Sequence, residues 1–210
     1  MNKVERLMAE KLLQIKAVKL QPSQPFTWAS GWLSPIYTDN RKTNSYPAVR
    51  NFIKIELSRL VLELYPQVEM IAGVATGAIA QGAMVAEELG LPFVYVRPKP
   101  KDHGMGNQIE GELLPNAKVV VIEDLISTGG SSLKAVAALR EAGAEVMGML
   151  ANFTYGFPVA TEQFEKADLQ LTTLSNYDAL LEQAAAMDYI QDSELEALRE
   201  WRKDPANWRK

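Results

Sequence analysis

The sequence of 210 residues contains no cysteine and only one histidine, His103. The lack of cysteine excludes disulfide bonds, thiolate catalysis and cysteine-ligated zinc, and a single histidine excludes a multi-histidine metal site. Basic residues are not in excess, because 26 acidic residues outnumber 22 lysines and arginines and give a net charge of −4. A nucleic-acid-binding protein usually has a basic face, so no nucleic-acid partner is expected.

The sequence also lacks a long apolar run. None approaches the roughly 18 residues of a membrane span, so no membrane partner is expected. The charged residues near the start, among them Lys3, Glu5 and Arg6, are not those of a signal peptide, and a cytoplasmic location is the default expectation. The remaining composition, 47% hydrophobic and 23% charged, is that of a globular protein with one main domain.

The most informative stretch is VVVIEDLISTGGS at residues 119–131. Its apolar start, 119–122, predicts a strand buried on both faces, and a helix is predicted at 133–142. Between them, Glu123 and Asp124 precede a turn of hydroxyl residues and glycines. Such a turn before a helix suits a phosphate, whereas the acids suit sugar hydroxyls or a bound Mg²⁺. A sugar phosphate with a free diol has both groups.

A simpler interpretation is an ordinary strand-to-helix turn with a serine as the helix N-cap, and for Ser131 alone this interpretation is preferred. The stretch is neither a Walker loop nor a Gly-x-Gly-x-x-Gly motif. Two adjacent acids and five small or hydroxyl residues at the carboxyl end of a buried strand favour a ligand site.

Two other loops leave predicted strands in the same way. Residues 74–77 connect a strand at 68–73 to a helix at 78–89 and would form a second phosphate cradle. Residues 98–111 follow a strand at 93–97, and with Arg97 this loop concentrates Lys99, Lys101 and His103 in an acidic protein. A solvated linker is the usual explanation for a charged loop, but a connection this long in a compact α/β domain is often a lid.

Strands at 68–73, 93–97, 118–123, 145–151 and 169–174 alternate with predicted helices. This alternation predicts an α/β fold with a mostly parallel five-stranded sheet flanked by helices. Residues 1–45 are expected to form an N-terminal helix and a small hood, and residues 46–210 a core with C-terminal helices, effectively one domain. Helices are predicted from Pro47 to before Pro66 and at 158–166, 176–186 and 192–203. Trp201 and Trp208 are candidates for packing beneath the hood.

The residues at 119–131 resemble the diphosphoribose-binding motif of the type I phosphoribosyltransferases. Two further stretches resemble orotate phosphoribosyltransferases: the hood with Phe26-Thr27, Ser30-Gly31, Ser34-Pro35 and Tyr37, and the loop with Arg97, Lys101, Asp102, His103 and Gly104. The sequence departs from common family patterns in three places. Ala29 replaces a lysine found in some members, Pro98 replaces a lysine after the arginine, and no arginine lies between Arg140 and Arg199.

The resemblance implies an orotate phosphoribosyltransferase, a pentosyltransferase of pyrimidine biosynthesis with Mg²⁺ as cofactor. It also implies a homodimer whose active sites are shared across the interface. The implied catalytic residues are Lys101, His103 and Asp124. Those implied to bind 5-phosphoribosyl 1-diphosphate are Arg97, Lys101, His103, Glu123, Asp124, Leu125, Ile126, Ser127, Thr128, Gly129, Gly130, Ser131, Ala75, Thr76 and Gly77. Orotate would contact Tyr37, Thr38 and Ser127, and Mg²⁺ would be held mainly by the diphosphate, near Glu123 and Asp124.

Two alternatives stay open at this point. One is a phosphoribosyltransferase for a purine or uracil, which the missing arginine favours and the hood and the 97–104 pattern disfavour. If the substrate is orotate, either the backbone or Tyr155 would replace the arginine that binds orotate in many family members, or this contact would be absent. The other alternative is a non-enzymatic regulator that senses the diphosphate, although the sequence has no added domain or basic face for such a role.

Overall fold

The computed structural model describes residues 2–28, 31–99 and 108–209. Its N-terminal part consists of one helix, four short strands and a 3-10 helix. These elements are α1 (Lys3–Gln14), β1 (Val18–Leu20), β2 (Phe26–Thr27), β3 (Leu33–Ser34), β4 (Ile36–Thr38) and the 3-10 helix Asn40–Ser45. β1 pairs with β4 and β2 with β3, both antiparallel, and neither pair joins the central sheet.

The rest of the described chain alternates between strands and helices. In chain order these elements are α2 (Pro47–Leu64), β5 (Met70–Val74), α3 (Ile79–Leu89), β6 (Phe93–Val96), β7 (Ile109–Glu110), β8 (Lys118–Ile126), α4 (Gly130–Glu141), β9 (Glu145–Thr154), α5 (Pro158–Lys166), β10 (Leu171–Asn176), α6 (Tyr177–Ala186) and α7 (Asp192–Lys203). Among the described helices, none has the length and apolar character needed to cross a membrane.

The central sheet has the order β10-β9-β8-β5-β6-β7. The five predicted strands pair in parallel, which confirms the predicted α/β fold with its mostly parallel sheet. The prediction of five strands missed β7, which pairs antiparallel with the end of β6. β7 has only two residues and lies inside the predicted loop 98–111, so it is too short to show a strand pattern.

β8 occupies the middle of the sheet and is buried on both of its faces. Val120 and Ile122 pack into one core cluster, whereas Val119 and Val121 pack into the other. The first cluster contains apolar residues of α1, α2, α3 and α6, and the second those of α4 and α5. All four β8 residues are fully buried, as the continuous apolar run predicts.

β8 is longer than predicted, so the turn that follows it begins later in the chain than predicted. It continues to Ile126 because its parallel pairing with β9 also continues, with Leu125 opposite Phe153 and Ile126 opposite Thr154. The helix N-cap is Gly129, whose φ of 85° lies in the left-handed region that favours glycine. The N-cap interpretation of Ser131 is therefore wrong, since Ser131 lies in the first turn of α4.

The hood, meaning the two strand pairs formed by β1 to β4, rests on the C-terminal helix. Trp201 of α7 is fully buried, and its indole Nε1 donates a hydrogen bond of 3.2 Å to the carbonyl oxygen of Leu33. Its ring also meets that of Trp28 edge-on, with 5.5 Å between the centroids. Trp201 thus packs beneath the hood. The division of the chain at residues 45 and 46 stays a prediction.

Candidate active site

A cavity of about 460 Å³ lies at the carboxyl edge of the sheet, where three segments meet. One segment follows β4 of the hood, the second follows β5, and the third comprises the end of β8 and the turn before α4. The lining residues are Thr38, Asp39, Asn40, Arg41, Val74, Ala75, Thr76, Gly77, Glu123, Asp124, Leu125, Ser127, Thr128, Gly129 and Ser131. Ligands of open α/β sheets bind at this edge.

The structure brings together most, but not all, of the residues implied to bind the ribosyl diphosphate. Ile126 is fully buried and does not line the cavity. Arg97 and Gly130 line a smaller neighbouring cavity of about 300 Å³, which shares Val74, Ala75 and Ser131 with the main one. Lys101 and His103 lie outside the described residues, so their roles stay predictions.

Glu123 is the most buried charged residue of the cavity, with 5% of its surface exposed. Its Oε2 accepts a 2.7 Å hydrogen bond from the hydroxyl of Ser132, and its Oε1 accepts one of 2.9 Å from the backbone N–H of Asp124. Burial, reinforced by the nearby Asp124 charge, raises the pKa of Glu123 to about 8. Burial also raises the pKa of Asp124, against the hydrogen bond with Glu123 and the Arg41 charge, which lower it.

Replacing this carboxyl group should change how stability depends on pH. In the unfolded chain Glu123 loses its proton near pH 4.5, whereas in the folded protein it keeps the proton until about pH 8. The folded state therefore binds more protons across this interval, and the free energy of unfolding should fall as pH rises through it. Glu123→Gln should remove this part of the decline. Urea unfolding at a series of pH values tests the prediction, and parallel curves for wild type and variant would contradict it.

Gly77 lies against the second acid. A Cβ atom added at Gly77 would overlap the carboxyl group of Asp124. Gly77→Ala should therefore displace that carboxyl group while leaving the sheet intact. Because a misplacement of about 1 Å at a reacting site costs on the order of 10²-fold, we expect a loss of kcat/KM of about that size. The urea midpoint should stay near that of wild type, and an enzyme with unchanged kcat/KM would show that the position of Asp124 does not matter.

The segment directly after the hood supplies three lining residues that sequence reasoning missed: Asp39, Asn40 and Arg41. Asn40 is 1% exposed, and its Nδ2 donates a 2.5 Å hydrogen bond to the backbone carbonyl of Asp124. Arg41 is held by Asp39, with 2.7 Å between Nε and Oδ1. The available signal was the sequence Thr-Asp-Asn-Arg directly after Tyr37, which fits no helical or strand period.

A buried hydrogen-bond chain continues from Asn40 toward the centre of the sheet. The carbonyl of Asn40 accepts from the hydroxyl of Thr43, and the Thr43 hydroxyl oxygen accepts from the side-chain amide of Gln81. The carbonyl oxygen of that amide in turn accepts from the side chain of Asn152 on β9. This chain fixes the segment after the hood against the sheet, and with it the position of Asp124.

A second, aromatic pocket of about 390 Å³ adjoins the cavity. Its lining residues are Thr27, Trp28, Tyr37, Thr38, Leu125, Ser127 and Tyr155, and three of them (Thr38, Leu125 and Ser127) also line the main cavity. The pocket therefore contains all three residues implied to contact orotate. Tyr155 is buried and stacks on Phe157, with 5.4 Å between ring centroids. Rigid aromatic walls with hydroxyl groups suit a flat, polar ring.

A cavity with paired acids and two small-residue turns, next to an aromatic pocket, is the arrangement that the resemblance to the phosphoribosyltransferases implies. In agreement, residues 51–156 match the family model described as "Phosphoribosyl transferase domain". The chain is 66% identical over 208 residues to the orotate phosphoribosyltransferase of Phocaeicola vulgatus, which covers 99% of this chain and 98% of that protein. It is 62% identical over 208 residues to that of Porphyromonas gingivalis, covering 99% of each. The chain belongs to the orotate phosphoribosyltransferase family.

Solved structures agree with this assignment. The orotate phosphoribosyltransferase of Aeropyrum pernix superposes with a TM-score of 0.73 at 30% identity, covering 85% of this chain and 98% of that one. The Leishmania donovani UMP synthase gives a TM-score of 0.79 at 26% identity, covering 95% of this chain and 42% of that one. The predicted resemblance, fold and enzyme class are therefore confirmed. The alternatives, another base or a non-enzymatic regulator, have no comparable support.

Proposed function

We propose that the protein transfers the 5-phosphoribosyl group of 5-phosphoribosyl 1-diphosphate to orotate. The products would be orotidine 5′-phosphate and inorganic diphosphate, in the pathway to UMP. The observation that carries this proposal is the junction of the acid-containing cavity with the uncharged aromatic pocket, which share Thr38, Leu125 and Ser127. A sugar phosphate and a flat ring bound on either side of this junction would meet at the anomeric carbon.

In the reaction, the bond from the anomeric carbon to the diphosphate oxygen breaks, and the diphosphate leaves with the electron pair. A bond from that carbon to N1 of orotate forms, and the N1 proton passes to solvent. The carbon gains positive character as its leaving group departs, so the enzyme must stabilise the diphosphate and exclude water.

The cavity offers a distinct partner for each part of the ribosyl diphosphate. Glu123 and Asp124 would accept hydrogen bonds from the two ribose hydroxyls. The turn from Ser127 to Gly129 and the first turn of α4 would bind the 5′-phosphate, because their N–H groups and hydroxyls donate to anions. Ala75, Thr76 and Gly77 present a second turn, at the start of α3, which would face the diphosphate.

Orotate would lie in the aromatic pocket against Tyr37, Thr38 and Ser127. None of the described residues that line this pocket carries a charge. The groups available to recognise the polar edge of the ring are therefore the hydroxyl-bearing side chains of the pocket, Thr27, Tyr37, Thr38, Ser127 and Tyr155. This arrangement fits a chain without an arginine between Arg140 and Arg199.

Mg²⁺ fits the donors of the cavity as an ion carried by the substrate. Among the described residues, no cluster of three or more histidine, cysteine or acidic side chains could hold a metal. Three acidic side chains, Asp39, Glu123 and Asp124, line the cavity, and the oxygens of Glu123 and Asp124 could accept hydrogen bonds from waters on the ion. Mg²⁺ usually keeps several waters and binds substrate phosphates, so it would neutralise the diphosphate.

Lys101 and His103 complete the proposal, although they lie outside the described residues. They would neutralise the leaving diphosphate in the active site of the partner subunit of a homodimer, with Arg97 at the diphosphate as well. Arg97 lies beside the main cavity, where its Nη1 is 3.6 Å from the carboxylate of Glu110.

Product analysis tests the proposed reaction. With Mg²⁺, ³¹P NMR should show one inorganic diphosphate and one orotidine 5′-phosphate formed for each ribosyl diphosphate consumed. Chelation of Mg²⁺ should stop turnover, and its re-addition should restore it. Formation of ribose 5-phosphate and diphosphate at the same rate with and without orotate would contradict the proposal, because it would show hydrolysis instead of transfer.

A further inference from the structure

Arg41 stands out as the one basic residue among the described residues that line the main cavity. It lies shortly after β4, which ends at Thr38, and belongs to the 3-10 helix Asn40–Ser45. Three acids, Asp39, Glu123 and Asp124, line the same cavity. At neutral pH Glu123 keeps its proton, so Asp39 and Asp124 are the acids whose negative charge would repel a polyanionic substrate unless the Arg41 cation faces the ligand. The charge distribution thus directs attention to Arg41.

The guanidinium of Arg41 is oriented by a hydrogen bond from its Nε, which leaves its two Nη groups for other contacts. Its Nε donates a 2.7 Å hydrogen bond to Oδ1 of Asp39, which also accepts a 3.3 Å bond from the Arg41 backbone N–H. The Nη groups make no hydrogen bond to any residue in the described part of the chain, and 62% of the side chain is exposed. The pair with Asp39 leaves the two terminal nitrogens available for a planar, two-point contact with phosphate oxygens.

The position of Arg41 indicates which part of the substrate it would contact. It lines the cavity together with Ala75, Thr76 and Gly77, but it does not line the aromatic pocket. The turn at the start of α4, with its own N–H donors, serves the 5′-phosphate. The Arg41 charge also reaches Asp124, whose pKa it lowers. Arg41 therefore shares one cavity with the ribose acids and with the turn after β5, the two groups expected on either side of the bond to the leaving diphosphate.

We propose that Arg41 binds the diphosphate of 5-phosphoribosyl 1-diphosphate from within its own subunit, with Asp39 as its positioning residue. The inference rests on the proposed function, because it assigns a role in the same reaction. A fixed arginine would stabilise the leaving group as its negative charge grows. It would also provide this neutralisation independently of any residue from a partner subunit.

The test uses Arg41→Ala, Arg41→Lys and Asp39→Asn, with Arg59→Ala as the control for loss of one positive charge. Arg59 lies on α2, where it pairs with Glu56 and Glu63 and does not line the cavity. Calorimetry with inorganic diphosphate and Mg²⁺ gives the affinity of the leaving group without requiring turnover. Steady-state kinetics then give separate KM values for the ribosyl diphosphate and for orotate.

We expect Arg41→Ala to bind diphosphate about 10- to 100-fold more weakly, the effect of one lost charge-assisted contact. Its kcat/KM for the ribosyl diphosphate should fall by on the order of 10²-fold, with little change in the KM for orotate. Arg41→Lys should be intermediate, because an ammonium keeps the charge but not the two-point geometry. Arg59→Ala should match wild type. Asp39→Asn should keep most of the affinity, since an amide oxygen still accepts from Arg41.

Three results would overturn the inference. One is wild-type affinity for diphosphate in Arg41→Ala. The second is a raised KM for orotate with unchanged diphosphate affinity, which would assign Arg41 to the base. The third is an equal loss in Asp39→Asn and Arg41→Ala, which would show that the ion pair only supports the hood. If wild type binds diphosphate through Arg41 but does not convert orotate, the proposed function fails and the inference stands.

Discussion

Asp124→Asn is expected to lower kcat by roughly 10²–10³-fold while the protein stays folded. The substitution keeps the shape of the side chain but removes the negative charge that would hold a ribose hydroxyl and order the waters on Mg²⁺. The position of residue 124 should survive, because Asn40 bonds to its backbone carbonyl and not to its carboxyl group. The loss should therefore appear in turnover and not in the urea midpoint.

Asp168→Asn is the matched control for this prediction. Asp168 is exposed and lies just after α5, and it does not line the cavity. Its φ of 47° is a left-handed conformation that asparagine tolerates. It should retain wild-type kcat and stability. If Asp124 only fixes the turn, Asp124→Asn would lose stability and keep its rate, and that result would remove Asp124 from the mechanism.

Lys101→Ala is expected to lower kcat by roughly 10²–10³-fold, the cost of one charge-assisted contact made in the transition state. The physical reason is the charge that develops on the diphosphate as its bond to the anomeric carbon breaks. Thermal unfolding should change little, since the proposed contact is to substrate. An unchanged kcat would exclude Lys101 from the reaction, and Lys99→Ala is the neighbouring lysine control.

Mixing two inactive variants tests whether active sites are shared. In a dimer of one Lys101→Ala subunit and one Asp124→Asn subunit, one site would combine an intact Asp124 with the partner's intact loop. Random reassociation under two-fold symmetry should then restore about a quarter of the wild-type rate. No recovery after subunits have demonstrably exchanged would mean that each subunit builds its own site.

The sequence predicted elements well where local signals agree. The predicted helices at 158–166 and 192–203 coincide with α5 and α7, because Pro158 starts the first and Glu194 completes a capping box at the second. The predicted strand stopped at residue 123, whereas the pairing with β9 carries β8 through Asp124 to Ile126. A polar residue that belongs to a strand only because it pairs with the adjacent strand cannot be found from a pattern of apolar residues.

The site was predictable only in part, for a similar reason. Glu123, Asp124 and the turn after them form one local motif, so their grouping is visible in the sequence. Asn40 reaches the same cavity through its hydrogen bond to Asp124, 84 positions away, and brings the neighbouring Arg41 with it. The local sequence does not specify that these residues lie at the cavity, because the fold of the hood brings them there.

The most direct test of the account is a comparison of bases at a fixed concentration of ribosyl diphosphate and Mg²⁺. Orotate, uracil, hypoxanthine and guanine are offered separately to the wild-type protein, and loss of each base is followed by absorbance. The account predicts rapid turnover of orotate and none of the other three. Turnover of uracil or a purine in place of orotate would contradict the assignment of the aromatic pocket, even though the fold and the diphosphate site would remain.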